Sequence, residues 1–165
     1  EFKSNYFDRI YTIESLCHSS DIRKTIKEFF RVLKTGGKVA FFEYNIADNN
    51  KFTNYELRII DKVIHSTASP SLKEFRPNRF EKILKEAGFK NAYAKDITEN
   101  FKPSIYRLRN LAIIPYYLLV KPFNLRKGFI NFTIAVEFYK LVEKNLMKYI
   151  IFTAEKWLKT NPKKF

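Results

Sequence analysis

The sequence predicts an α/β fold with a mostly parallel sheet, and three observations carry that prediction. Four strand-like runs, at about residues 8–13, 38–44, 89–97 and 148–157, alternate with segments whose apolar residues recur at helical spacing. The first two runs are joined by one helical segment, as in a βαβ unit with a right-handed crossover. Glycines stand where the helices should stop, at Gly36, Gly37 and Gly88.

Taken in order, "YFDRIYTIE" (6–14) is rich in Ile and Tyr and reads as a buried strand over about 8–13. Residues 15–20 are a loop. Ser20 is the expected cap of the first helix, with Asp21 in its first turn, where negative charge suits the dipole. Ile22, Ile26, Phe29, Phe30 and Leu33 supply its apolar face, and Gly36 and Gly37 are expected to end it as left-handed caps. "KVAFFEY" (38–44) is the second strand. Tyr55, Ile59, Ile60, Val63 and Ile64 mark a second helix. Pro77 suits the first position of a third, whose face is Phe80, Ile83, Leu84 and Ala87 and which Gly88 stops. "FKNAYAKDI" (89–97) is the third strand. Residues 99–147 are predicted to be helical pieces broken at Pro103, Pro115 and Pro122, and "KYIIFTAEKW" (148–157) is the last strand. The tail, 158–165, is expected to fray. The chain thus divides into 1–98, an insertion over 99–147, a returning strand over 148–157 and the tail.

Composition narrows the function classes. A chain of 165 residues that is 45% hydrophobic fits one domain with a core and argues against disorder. Seventeen Phe and ten Tyr are enough to line a cavity as well as fill a core. The net charge of +14 suggests an anionic partner, although an AT-rich genome would enrich Lys, Phe, Ile and Asn as well. Lys and Arg are scattered and no zinc-finger, RNA-recognition or helix-turn-helix signature occurs, so no specific nucleic acid is expected. One Cys excludes an internal disulfide and fits a reducing, cytoplasmic compartment; two His and one Cys argue against zinc. No signal peptide is visible. The longest apolar run, "LAIIPYYLLV" (111–120), is shorter than the about 20 residues a spanning helix needs. The expectation is a soluble or membrane-peripheral protein.

Chemistry concentrates in "RIYTIESLCHSSD" (9–21), where an acid, a thiol and an imidazole follow the first strand. Parallel sheets bind ligands beyond the carboxyl ends of their strands. The loop after the first strand is expected to carry Glu14, Cys17 and His18, and the loop after the second Glu43, Tyr44 and Asn45. Both should open on one rim. Cys17 reads as a small packed residue and His65 as a surface one. Glu14 could equally cap a neighbouring backbone N–H, and His18 could be a satisfied polar residue before the helix.

"FDRIYTIESLCHSSD", then about ten helical residues, then "RVLKTGGKVAFFEY" resembles the class I S-adenosylmethionine-dependent methyltransferases, and among them the sterol C24-methyltransferase branch. Members there carry Tyr-Ser/Ala-Ile-Glu-Ala-Thr-Cys-His-Ala-Pro-Asp, followed by Arg-Val-Leu-Lys-Pro-Gly-Gly. Tyr11, Ile13, Glu14, Cys17, His18 and Asp21 match, as do Arg31, Val32, Leu33, Lys34, Gly36 and Gly37; Ser15, Leu16, Ser20 and Thr35 depart. "RPNRFEKILKEAGFKNAYAKDIT" (76–98) resembles a later helix and strand of these enzymes.

The resemblance implies a Rossmann-like sheet of which this chain supplies the fourth to seventh strands, with a helical cap between the last two. None of the glycines, at 36, 37, 88 and 128, forms the family's Gly-rich cofactor loop. The chain is therefore expected to be the C-terminal part of a methyltransferase whose N-terminal half is missing, with an unpaired edge on its first strand and weak cofactor binding alone. The implied cofactor is S-adenosyl-L-methionine, held near Thr12, Ile13 and Glu14. Glu14 and His18 are the implied catalytic pair: Glu14 stabilises positive charge or holds the cofactor's amino group, and His18 positions the acceptor or takes a proton. Tyr44, Tyr106, Tyr116 and Tyr117 are candidates for the pocket of a lipid-like or small organic acceptor. In residues 101–127, basic side chains flank an apolar, aromatic centre, which reads either as a lid lying on a membrane or as an internal cap. The alternatives are a small-metabolite N-, O- or S-methyltransferase, a non-catalytic basic binding module, and a partner subunit.

Overall fold

A computed structural model describes residues 2–125 and 128–157. Four strands, β1 (Phe7–Ile13), β2 (Leu33–Ile46), β3 (Lys90–Asp96) and β4 (Met147–Glu155), form one sheet in the order β1-β2-β4-β3. β1 pairs parallel to β2, while β4 runs antiparallel to both β2 and β3. The sheet is therefore mixed. β1, β2 and β3 point one way, but only one of the three pairings is parallel. The reason is local. Ile46, the last residue of β2, pairs with Met147, the first of β4, so β4 starts where β2 finishes and must run back.

Helices α1 (Ile22–Val32) and α3 (Arg79–Glu86) cover one face of the sheet. The core there holds Ile26, Val39, Phe41, Phe80, Phe89 and Phe152, with the Phe80 and Phe152 rings 4.9 Å apart edge to face. Helix α2 (Asn54–Ser66) opens with a capping box, in which Thr53 and Glu56 satisfy each other's backbone N–H. Between β3 and β4 the chain builds α4 (Thr98–Pro115), a π-helical turn (Tyr116–Val120) and α5 (Ile130–Glu143). These pack on each other over the carboxyl end of β2, where Tyr44 meets Phe138 at 5.1 Å and Phe101 at 5.6 Å. β1 is an edge strand, as expected, with no partner on its outer side among the described residues. The sheet's second face lies open beside it, with Tyr11 72% and Tyr93 61% exposed.

Several expectations need correction. Asp21, not Ser20, caps α1, accepting from the Lys24 N–H at 3.0 Å. α1 stops at Val32, before the glycines. Its last carbonyls are taken by Lys156, whose Nζ donates to Phe30 O and Leu33 O, each at 2.7 Å. Gly36 and Gly37 instead lie in β2. Gly36 has φ +78° and donates to Lys156 O at 2.7 Å. A Cβ on Gly37 would stand 2.9 Å from Asp8 O, so the absence of a side chain there lets the two strands approach. Asn78, at φ 62°, starts α3, one residue beyond Pro77. α4 runs straight through Pro103, because burial of Ile105 and Ala112 outweighs one missing backbone bond. Gly88 does end α3, at φ +106°. The tail at 158–165, with Arg126 and Lys127, lies outside the described residues.

Candidate functional site

The site begins where β1 runs out. The Glu14 N–H still donates to Phe42 O at 2.8 Å, continuing the ladder, but its own φ is 48°. A left-handed glutamate is strained and persists only where its surroundings impose it. Glu43 imposes it. This β2 residue is 0% exposed, and its Oε1 accepts from the backbone N–H of Leu16 at 2.7 Å and of Ser15 at 3.0 Å. The loop is thereby folded back over the end of β2. Burial raises the Glu43 pKa, and the two N–H donors oppose that rise. Its Oε2 has no partner among the described residues.

Turned this way, the Glu14 carboxylate meets Tyr149 of β4, whose hydroxyl donates to Oε1 at 3.0 Å. Tyr44 lies alongside, its ring 5.1 Å from that of Tyr149. Burial, then the negative charge of Glu14, pushes both hydroxyls above their ordinary pKa, so both stay neutral donors. Phe101 stacks on Tyr149 at 4.5 Å. Glu14, Tyr44 and Phe101 border a cavity of about 340 Å³, and Tyr149 braces all three without lining it. The rest of the cavity wall is mostly apolar, from Val63, Leu72, Ile105, Leu108 and Phe138, with the hydroxyl residues Thr67, Ser69 and Ser104 among them.

His18 lines the same cavity from the turn that follows. Its Nδ1 is 3.0 Å from Ala68 O. A carbonyl can only accept, so Nδ1 carries the proton, and in the neutral ring Nε2 keeps a lone pair. Cys17 also borders the cavity, but burial, then Glu43, pushes its thiol up to about 12. It is a packed thiol, as expected, and no nucleophile.

The structure thus unites Glu14 and His18, from the loop after β1, with Tyr44, which lies with Glu43 and Asn45 inside β2 and not in a loop after it, because the strand runs on to Ile46. It does not bring Tyr106, Tyr116 or Tyr117 to that cavity. Tyr106 donates to Glu143 at 2.6 Å on the outside of the cap. Tyr116 is buried, donates to Glu137 at 3.1 Å and borders a separate cavity of about 140 Å³. Tyr117 is on the exposed side, beneath Lys121. Helical phase turns Tyr106 and Tyr117 away, since Ile105, Ala112 and Tyr116 take the inward positions; Tyr116 faces inward but eleven residues beyond Ile105, at the smaller cavity. Thr12 and Ile13 do not line the cavity either. Thr12 is half-buried, its hydroxyl without a partner among the described residues, and Ile13 is exposed on β1. Sequence reasoning missed Tyr149, Phe101 and Phe138, and placed Glu43 on a rim rather than inside β2. The one available signal was an acid within the apolar run "VAFFEY".

Residues 1–41 match a family model described as a methyltransferase domain. An S-adenosyl-L-methionine-dependent Diels-Alderase of Talaromyces variabilis is 28% identical over 127 residues, 75% of this chain and 43% of that protein. Sterol 24-C-methyltransferase of Saccharomyces cerevisiae is 32% identical over 100 residues, 61% of this chain and 26% of that one. Cycloartenol-C-24-methyltransferase 1 of Oryza sativa is 30% identical over 122 residues, 73% of this chain and 32% of that one. The chain therefore spans less than half the length of these relatives. Among solved structures, a cyclopropane synthase of Mycobacterium tuberculosis superposes with TM-score 0.69 at 12% identity, covering 93% of this chain and 56% of that one. Phosphoethanolamine N-methyltransferase 2 of Haemonchus contortus gives 0.67 at 20% identity, covering 96% and 35%. At such identities these superpositions establish the fold.

Proposed function

We infer, from a chain related in sequence to the sterol C24-methyltransferases and built on the class I methyltransferase sheet, that it is the acceptor-binding part of an S-adenosylmethionine-dependent methyltransferase. The acceptor is apolar and lipid-like. One observation carries this reading: a carboxylate held at the strained tip of β1, on the wall of a cavity lined mainly by apolar and aromatic side chains. The unpaired edge of β1 and the open sheet face beside it support a further part of the reading. The working enzyme adds strands on that edge, which supply most of the cofactor contacts.

Of the residues expected at the cofactor, Glu14 fits the chemistry. Its carboxylate, held by Tyr149, and the rings of Tyr44 and Phe101 give a negative, π-rich wall suited to a cationic group. Ile13 and Thr12 lie just before it on the free strand. S-adenosylmethionine, when bound, supplies an electrophilic methyl group on a sulfonium. Glu14, locked by Tyr149 and by the loop that Glu43 holds, faces positive charge without moving. The rings of Tyr44, Phe101 and Phe138 hold an apolar acceptor against it and exclude water. If the acceptor is an alkene, methylation leaves a carbocation. Nε2 of His18, free because Nδ1 is engaged, is positioned to take the proton that restores neutrality.

The experiment is methyl-labelled cofactor supplied to the full-length protein with sterol, quinone, fatty-acyl and amine acceptors. Label moving to an apolar acceptor is the expected result. Label moving only to a polar amine would replace the acceptor assignment. A cofactor-dependent ring closure with no label transferred would favour the kind of chemistry named for the Talaromyces variabilis relative. Calorimetry on the 165-residue chain alone should give poor cofactor binding. Tight stoichiometric binding would remove the need for added strands.

A further inference from the structure

We propose that the outer face of α4 and the π-helical turn is a docking surface for an anionic membrane, through which the cavity is loaded. The second half of this proposal rests on the apolar-acceptor reading above.

The segment is apolar on both sides. Ile105, Ala112, Tyr116 and Val120 are buried inward. Outward, Arg107, Leu111, Ile114 and Leu118 follow at i, i+4, i+7 and i+11, one stripe of the helix, and Leu111 is 77% and Leu118 66% exposed. Leu119 and Phe123 extend the apolar surface beyond the helix. A helix apolar all round needs a cover on its outer side. Charge identifies the cover. From Asn100 to Val136 the sequence holds no Asp or Glu, and its cations include Arg107, Arg109 and Lys121, besides Lys102, which pairs with Glu99 at 2.6 Å. Arg109 rests over the Tyr139 ring at 4.8 Å and Lys121 over the Tyr117 ring at 4.9 Å. Neither has a carboxylate partner among the described residues. Apolar side chains edged by such cations match the boundary between acyl chains and anionic headgroups. A second copy of the chain would set this rim against itself, cation to cation. No described helix is long and apolar enough to cross a membrane, so the segment lies on the surface.

Leu108 joins the surface to the cavity. It is 54% exposed, stands one turn from Leu111 and also lines the cavity, next to Ser104 and Ile105. An apolar molecule dissolved in the bilayer meets a continuous apolar path over Leu108 toward Glu14.

The test is flotation of the full-length protein at low salt with two kinds of vesicle, zwitterionic phospholipid alone and the same lipid with anionic phospholipid added. The protein should float with the anionic vesicles. The double variant Leu111→Glu/Leu118→Glu, at exposed positions outside the cavity, should lose at least tenfold in vesicle affinity. It should still methylate a detergent-dispersed acceptor at the parent rate. Arg107→Glu/Lys121→Glu should weaken binding, as should added salt. No flotation with either vesicle overturns the proposal. So does flotation that the leucine variant leaves unchanged, or a concentration-dependent dimer that the same variant abolishes without any vesicle binding. Flotation that depends on the leucines, in a protein that methylates nothing, upholds the surface and sinks the functional reading instead.

Discussion

Glu43 offers the sharpest test of how the site is held. Glu43→Ala leaves the buried N–H of Leu16 without its acceptor at 2.7 Å, a loss of about 1–3 kcal/mol. The Ser15 N–H, at a more exposed residue, can turn to water and adds about 0.5–1.5 kcal/mol. Relief from burying a carboxylate offsets part of this, so the net destabilisation at neutral pH should be about 1–3 kcal/mol. Glu43→Gln keeps an acceptor oxygen and removes the charge. It should stay within about 1 kcal/mol of the parent, on the stable side. The pH dependence separates the two effects. Burial holds the Glu43 carboxyl above the ordinary 4.5, so the native state binds its proton more tightly than the unfolded state does. That contribution is fully present below 4.5 and is lost as pH rises through the raised native value. The parent should therefore lose stability relative to Glu43→Gln as pH rises above 4.5 and through the raised native value. Urea unfolding followed by far-ultraviolet circular dichroism measures this. A Gln variant as damaged as the Ala variant at every pH would refute the reasoning, because it would mean that the loop needs the charge rather than the acceptor.

Tyr149→Phe removes the hydroxyl that holds Glu14 and should lower kcat about tenfold, the value of one hydrogen bond to a charged group, with little effect on thermal stability. Steady-state kinetics and a melting curve check both halves. Gly37→Ala places a methyl 2.7 Å from Leu33 Cγ and 2.9 Å from Asp8 O, where backbone cannot yield. It should destabilise by about 1–3 kcal/mol in urea titration, whereas Gly128→Ala, with only Leu125 O at 3.8 Å, should be far milder.

The βαβ unit was legible because its signals are local: β-branched strands, a helical stripe and glycines within one stretch of chain. The pairing of Glu14 and His18 with Tyr44 was legible for a topological reason. Parallel neighbours end on the same rim, so a motif after β1 must face the end of β2. Tyr149 was not legible. It reaches Glu14 only because β4 runs antiparallel and pairs Tyr149 with Tyr44, a register set by a cap more than forty residues long. The tyrosines of the cap failed for another reason. Aromatic residues at neighbouring positions of a helix face different ways, and composition does not say which way is inward. Asp21 and Ser20 are both good caps, and the choice fell to whichever residue left the extended backbone last. The role of Gly36 went elsewhere because Lys156, from the far end of the sequence, caps α1 instead.

Turnover of Glu14→Gln in the full-length protein, measured as methyl label reaching an apolar acceptor, addresses the central claim most directly. The carboxamide keeps the size of the side chain and an oxygen for Tyr149, but lacks the charge. A fall of roughly 100-fold or more in kcat is expected, with acceptor binding and fold retained. A variant that turns over at the parent rate would contradict the claim.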